Sequence, residues 1–262
     1  MTGILLRSEQ ASEAVAHAGQ ARETVAQNAF THNEVFSCPE ESHFYSHCLE
    51  RLVFNHCKSS DVVIEFGSGD GSPIINSLLR TQFNGIIHGY ELNASAHKVA
   101  HSRIQQCGLN HKYVVHNESF FDSKKPEATY LVANPPYLPA PDNDICMPLL
   151  HGGVDGATIT NHLLTLGYPN VMQLVSSYSN PVGTIAAASE NGYAVADFMI
   201  TSLQFGYYSS EPKVKNCIAA LRQKRQAFYS SKIYLLAGVL FRKQSLSKTN
   251  LAPELMQVLT AL

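Results

Sequence analysis

Apolar and polar positions change period several times along this chain, and the changes mark its elements. Residues 1–30 set Leu5, Val15, Ala18, Val25 and Ala26 among Ala, Gln and Glu, a spacing that predicts one or two helices. A further helix is predicted from Glu40 to about Cys57, opened by the start signal at Pro39. The short apolar run Asp61–Phe66 then reads as a strand and passes directly into Gly67-Ser68-Gly69-Asp70-Gly71. Alternation follows: helix Pro73–Thr81, strand Ile86–Leu92, helix Ala94–Cys107, and the strands Tyr113–His116 and Thr129–Ala133. It continues with helix Ala157–Leu166, strand Val171–Ser176 and helix Val182–Asn191. The strands Ala194–Gln204 and Lys232–Arg242 close the pattern, separated by a helical-looking insertion, Glu211–Phe228. Strands alternating with helices predict an α/β, doubly wound parallel sheet. The two long strands at the end predict an antiparallel edge on it.

Composition narrows the class. The 262 residues are 45% hydrophobic and 15% charged, with a net charge of −2. That is enough apolar surface for a large core and argues against disorder. With 19 Lys+Arg against 21 Asp+Glu there is no basic excess, so duplex nucleic acid is disfavoured as an obligatory partner. The six cysteines are scattered and form no CxxC. The longest apolar run, Tyr234–Phe241, falls far short of the ~20 residues that span a bilayer, and no signal-peptide pattern opens the chain. The expectation is an intracellular, cytoplasmic protein with reduced thiols and no membrane partner. Oligomeric state is not legible.

Two segments carry chemistry. A glycine-rich turn between strand and helix lets a ligand approach the backbone closely. Glu91, at the end of the next predicted strand, stands where a carboxylate accepts hydrogen bonds from the hydroxyls of a ribose. A nicotinamide-binding G-x-G-x-x-G would put its third glycine at Ser72; here the glycines fall at 67, 69 and 71, after the acidic Glu65.

The second segment is Asn134-Pro135-Pro136-Tyr137, placed after Leu131-Val132-Ala133 and so at the carboxyl edge of the sheet. A planar amide or aromatic amine is a poor nucleophile, because its lone pair is delocalised. The Asn134 side-chain carbonyl and the Pro135 backbone carbonyl can each accept one of its N–H groups. The nitrogen is then held with its lone pair aimed at an electrophile, and charge that builds on it is stabilised. The prolines stiffen the turn, and Tyr137 offers a ring face to a planar substrate.

These segments resemble the N-P-P-Y N-methyltransferases of the class I, S-adenosylmethionine-dependent type. Within them the chain is most similar to the HemK-like release-factor glutamine methyltransferases, over roughly residues 33–175. The segments that match are Val35-Phe36 with Pro39-Glu40, Glu65–Gly71, Tyr90–Asn93, Asn117–Phe120, Asn134–Tyr137 and Gly152–Gly156. The resemblance implies a Rossmann-like fold; this chain's own pattern predicts a short helical N-terminal extension over 1–57 and a methyltransferase domain over 58–262 with a helical insertion at about 206–231, both departures from that family. The resemblance also implies S-adenosyl-L-methionine as cofactor. Glu65, Gly67 and Gly69 would lie along the methionine moiety, Glu91 would hold the ribose, Glu118 would face the adenine with Ser119 beside it, and Ser68 and Leu92 would also bind the cofactor. Phe36 would stand at the entrance. Asn134, Pro135 and Tyr137 would receive the acceptor, and Asn134 would also border the cofactor.

The Val175–Pro181 segment replaces a Glu-rich stretch of that family. That departure argues against a release factor as substrate, and the neutral charge and low Lys+Arg content, which offer little to a phosphate backbone, make the expected acceptor a nitrogen of a peptide, protein or small metabolite. Three other readings stay open: an exocyclic amine of a nucleic acid, a carboxylate methylated on oxygen in a tailoring reaction, and a binding module without turnover. His43 and His47, spaced as zinc ligands can be, read as a plain histidine pair without a metal. Lys213, Lys215, Arg222, Lys224 and Arg225 read first as a solvated helix face.

Overall fold

The computed structural model describes residues 35–262, so the helices expected over residues 1–30 lie outside the described residues. Helix α1 (Pro39–Leu52) begins on its proline, carries Glu40 and Glu41 in its first turn and Arg51 in its last, and so matches the helix dipole at both ends. It buries Phe44, Tyr45, Cys48, Leu49 and Leu52, a stripe at helical spacing. It stops short of the expected Cys57. Val53 leaves the helical region at φ −125°, and a 3₁₀ turn over Phe54–His56 lays Phe54 on Phe83, with ring centroids 4.8 Å apart.

The alternating elements then follow in order: β1 (Val62–Phe66), α2 (Ser72–Arg80), β2 (Ile86–Tyr90), α3 (Ala94–Gln106), β3 (Tyr113–His116) and β4 (Tyr130–Ala133). After them come α4 (Thr158–Thr165), β5 (Asn170–Ser176), α5 (Pro181–Glu190), β6 (Tyr193–Gln204), α6 (Pro212–Gln223), β7 (Ile233–Lys243) and α7 (Ala252–Leu259). The seven strands run β3-β2-β1-β4-β5-β7-β6. Pairing is parallel from β3 through β5, whereas β7 runs antiparallel to both β5 and β6. A bulge between Val195 and Asp197 shifts the register of β6.

Both sheet faces are covered, which is why β5 is buried along its whole length. On one face α1, α2, α3 and α6 cover a core that includes Leu49, Ile74, Ile104, Met172 and Ile218. On the other, α4, α5 and α7 close over Ile64, Leu131, Val171 and Phe241. Residues 35–262 form one unit, and α1 lies in the same core as the sheet.

Candidate active site

Four parallel strands end in register. Phe66 of β1 pairs with Tyr90 of β2 and Ala133 of β4, and Tyr90 pairs with His116 of β3. The next residues, Gly67, Glu91, Asn117 and Asn134, therefore stand side by side at the carboxyl edge. Between β1 and β4 the strand order reverses direction, and crevices that bind ligands open at such points.

The glycine turn is folded over the end of β2. The N–H groups of Gly67 and Ser68 donate to the Tyr90 carbonyl at 3.0 and 3.3 Å, and Gly71 donates to Ser68 at 3.0 Å. Gly67, Gly69 and Gly71 take φ of +68°, +55° and +73°, a region costly to side chains. Their surroundings differ. A Cβ at Gly71 would press on Ala100 at 3.1 Å, whereas one at Gly67 or Gly69 would meet nothing within 4 Å. Gly71 is a packing glycine; the other two leave a clear approach to the backbone.

Two carboxylates flank this approach. Glu91 accepts the N–H of Gly69 and that of Asn93, each at 2.7 Å, one on each oxygen. Each oxygen keeps a further lone pair for an outside donor. Asn117 holds the segment in place by donating to the Glu91 carbonyl at 2.8 Å. Glu65 is buried beneath the turn and accepts the Tyr113 hydroxyl. Burial, with smaller contributions from Glu91 and Asp70, pushes its pKa up to about 7 against the pull of the Tyr113 hydrogen bond.

The remaining expected residues lie around this centre. Leu92 projects into solvent. Glu118 is half exposed, with Oε1 4.0 Å from Nδ1 of His116, and Ser119 follows it, its carbonyl accepting the Ser123 N–H at 3.1 Å. Phe36 lies farther out: its ring is 6.1 Å from that of Tyr208, and it lines a cleft of about 490 Å³ with Asp70, Ser72 and Arg103.

The tetrapeptide meets a residue that sequence reasoning did not single out. Glu41, on the first turn of α1, is 4% exposed. One carboxylate oxygen accepts the Asn134 amide at 2.6 Å, and the other accepts the Tyr137 hydroxyl. Desolvation raises the Glu41 pKa, and these two bonds draw it back. The same burial, with Glu41 next to it, holds the Tyr137 phenol well above its usual range, so it stays a donor. Its ring packs against that of Tyr178, with centroids 5.7 Å apart. Pro135 is buried in the turn between them. The Asn134 Oδ1 is buried and has no hydrogen-bond partner.

A second layer braces the turn. Ser179 donates to the Tyr137 carbonyl at 2.7 Å, and Gly152 and Leu138 pair through Gly152 N–H to Leu138 O at 2.9 Å. A Cβ at Gly152 would stand 2.7 Å from the Tyr137 Cα, and one at Gly156 2.6 Å from its carbonyl oxygen, so only glycine fits against the turn. Asp155 accepts the Asn180 amide at 2.6 Å and ties this loop to α5.

The insertion between β6 and β7 is clasped to the loop after the tetrapeptide. Lys213 lies 2.7 Å from Asp142 and 3.4 Å from Asp144, and Glu211 accepts the Cys146 N–H at 2.9 Å. Arg222 lies over the Tyr229 ring at 4.5 Å. His43 and His47 share a hydrogen bond at 3.1 Å, and among the described residues no group of three or more His, Cys, Asp or Glu could hold a metal ion.

No family model and no curated protein sequence matches this chain. Solved structures do. The chain is similar to magnesium protoporphyrin IX methyltransferase from Synechocystis with bound SAM, at 11% identity over 76% of this chain and 79% of that one, with a TM-score of 0.50. It is also similar to TYW2 from M. jannaschii in complex with AdoMet, at 13% identity over 84% and 80% of the two chains and a TM-score of 0.46. A third is precorrin-6y C5,15-methyltransferase from Geobacter metallireducens, at 9% identity over 78% and 90%, with a TM-score of 0.46. The first likeness, together with the strand order and the antiparallel β7, shows a Rossmann-like fold shared with that methyltransferase.

Proposed function

We propose that this protein is an S-adenosyl-L-methionine-dependent methyltransferase that moves a methyl group to a nitrogen of a peptide, protein or small metabolite. Its reacting centre would be Asn134–Tyr137, as in the HemK-like enzymes that it resembles. The observation that carries the reading is the buried, unpartnered Asn134 Oδ1, one residue beyond β4 and in register with Gly67. A lone buried acceptor costs stability unless a donor meets it in use. An N–H of the acceptor is such a donor; an ionised carboxylate, the substrate of an O-methyltransferase, brings none.

The cofactor side fits as well. Gly67 and Gly69 leave open backbone, Glu91 keeps lone pairs for ribose hydroxyls, and Glu65 is a buried carboxyl that a cationic ligand would ionise. S-adenosylmethionine, when bound, supplies a sulfonium methyl as the electrophile. Asn134 fixes the acceptor nitrogen by one N–H, and the stiff prolines hold that geometry, which is a gain in orientation. Nucleic acid is disfavoured, because Lys213 is already paired and the net charge is −2. Free thiols at all six cysteines fit a cytoplasmic location. Among the described residues no helix is long and apolar enough to cross a membrane.

Radiolabelled methyl transfer into lysate, fractionated into protein, nucleic acid and small molecules, tests the reading with Asn134→Ala alongside. Label should enter the protein or small-molecule fraction and fall at least about a hundredfold in the variant. Label in nucleic acid overturns the acceptor class, and label that persists in Asn134→Ala overturns the role of the tetrapeptide.

A further inference from the structure

We propose that Glu41 is the positioning residue that decides which end of the Asn134 amide faces the acceptor; this rests on the reading that the Asn134 carbonyl receives an acceptor N–H. An asparagine amide has two ends of nearly equal size and opposite chemistry, one accepting and one donating. Packing alone distinguishes them poorly. A carboxylate whose two oxygens both accept, as those of Glu41 do from Asn134 and Tyr137, distinguishes them well. With the Asn134 NH₂ 2.6 Å from Glu41, the carbonyl oxygen must turn the other way, and there it is left buried and unpartnered. The flipped amide would set carbonyl against carboxylate and turn its N–H groups toward the acceptor's own N–H.

Glu41 does this from a distance of 93 positions in the chain, carried on α1. Its second oxygen takes the Tyr137 hydroxyl, so one side chain pins both ends of the tetrapeptide. Burying a carboxylate is costly, and an apolar side chain would pack at this site with less penalty. An acceptor-only group with two oxygens is what the orientation of Asn134 and Tyr137 requires. Glu41 touches Asn134 and Tyr137 and acts through them.

Glu41→Gln separates orientation from mere packing. It keeps the shape, but its amide can meet either end of Asn134, so the preference is lost. The expected result is S-adenosylmethionine affinity within about threefold of wild type by calorimetry, and methyl transfer into the labelled lysate fraction lowered about a hundredfold. In ¹⁵N-labelled protein, the Asn134 side-chain amide is identified by its loss in Asn134→Ala. One of its protons should lie well downfield in wild type and return among the other asparagines in Glu41→Gln. Wild-type transfer by Glu41→Gln beside an inactive Asn134→Ala overturns this proposal and leaves the proposed function standing. Full transfer by Asn134→Ala overturns the function instead. Should Glu41→Gln fail to fold, the wild-type spectrum decides: an ordinary Asn134 amide pair overturns the proposal.

Discussion

Glu65 sets burial against charge at a single residue. Desolvation first, then Glu91 and Asp70, lift its pKa to about 7 from an ordinary 4.5. Because the folded value is the higher one, the folded state holds the proton more tightly. The stability this contributes is full below pH 4.5 and is lost as pH rises toward 7, a change on the order of 3 kcal/mol. A cationic ligand beside Glu65 reverses the preference by favouring the carboxylate. Affinity for S-adenosylmethionine should therefore rise about tenfold between pH 6 and pH 8 and level off above that. Titration calorimetry at the two pH values checks this, with Glu65→Gln expected to flatten both the affinity and the thermal-stability profile. A pH-independent wild type would mean that Glu65 does not feel the ligand's charge.

The elements bring the site together by ending in register, and the loops beyond them hold it by steric fit. Gly156 and Gly167 both take positive φ, at +78° and +82°, but only Gly156 is crowded, with the Tyr137 carbonyl 2.6 Å from a hypothetical Cβ. Gly167→Ala should cost only backbone strain, about 1 kcal/mol in a denaturant titration. Gly156→Ala must also push the tetrapeptide, and should cost clearly more and abolish methyl transfer. Equal costs would mean that the brace is slack. Much of this layer was legible in the sequence. The strands from Val62 to Ser176 are short apolar runs bounded by glycine, asparagine or proline, and each appears within a residue or two of its expected place. Helix α7 was missed, since its buried Leu255 and Leu259 offer only a single helical repeat before the chain ends. Glu41 was missed for a different reason. Beside Glu40, after Pro39, it reads as an ordinary acid at a helix start, and only the tertiary approach of α1 to β4 brings it to Asn134.

At the scale of the whole molecule, the insertion between β6 and β7 combines two kinds of attachment that differ in worth. Lys213 reaches Asp142 and Asp144 at the surface, where solvent screens the pairs and measured contributions are small. Beneath them Val214, Ile218 and Leu221 are buried on one side of α6 and join the same core as α1 and the sheet. The basic residues of α6 thus decorate an element that hydrophobic burial fixes, and the surface pairs set only how the loop over 142–146 lies against it. Lys213→Ala should leave the denaturant midpoint nearly unchanged. Ile218→Ala, which empties a position only 3% exposed, should cost about 2–5 kcal/mol. The opposite ranking would show an insertion held by its charges, free to lift from the core when they are screened. The expected ranking makes α6 a fixed support for the loop over 142–146, which Lys213 and Glu211 clasp to it.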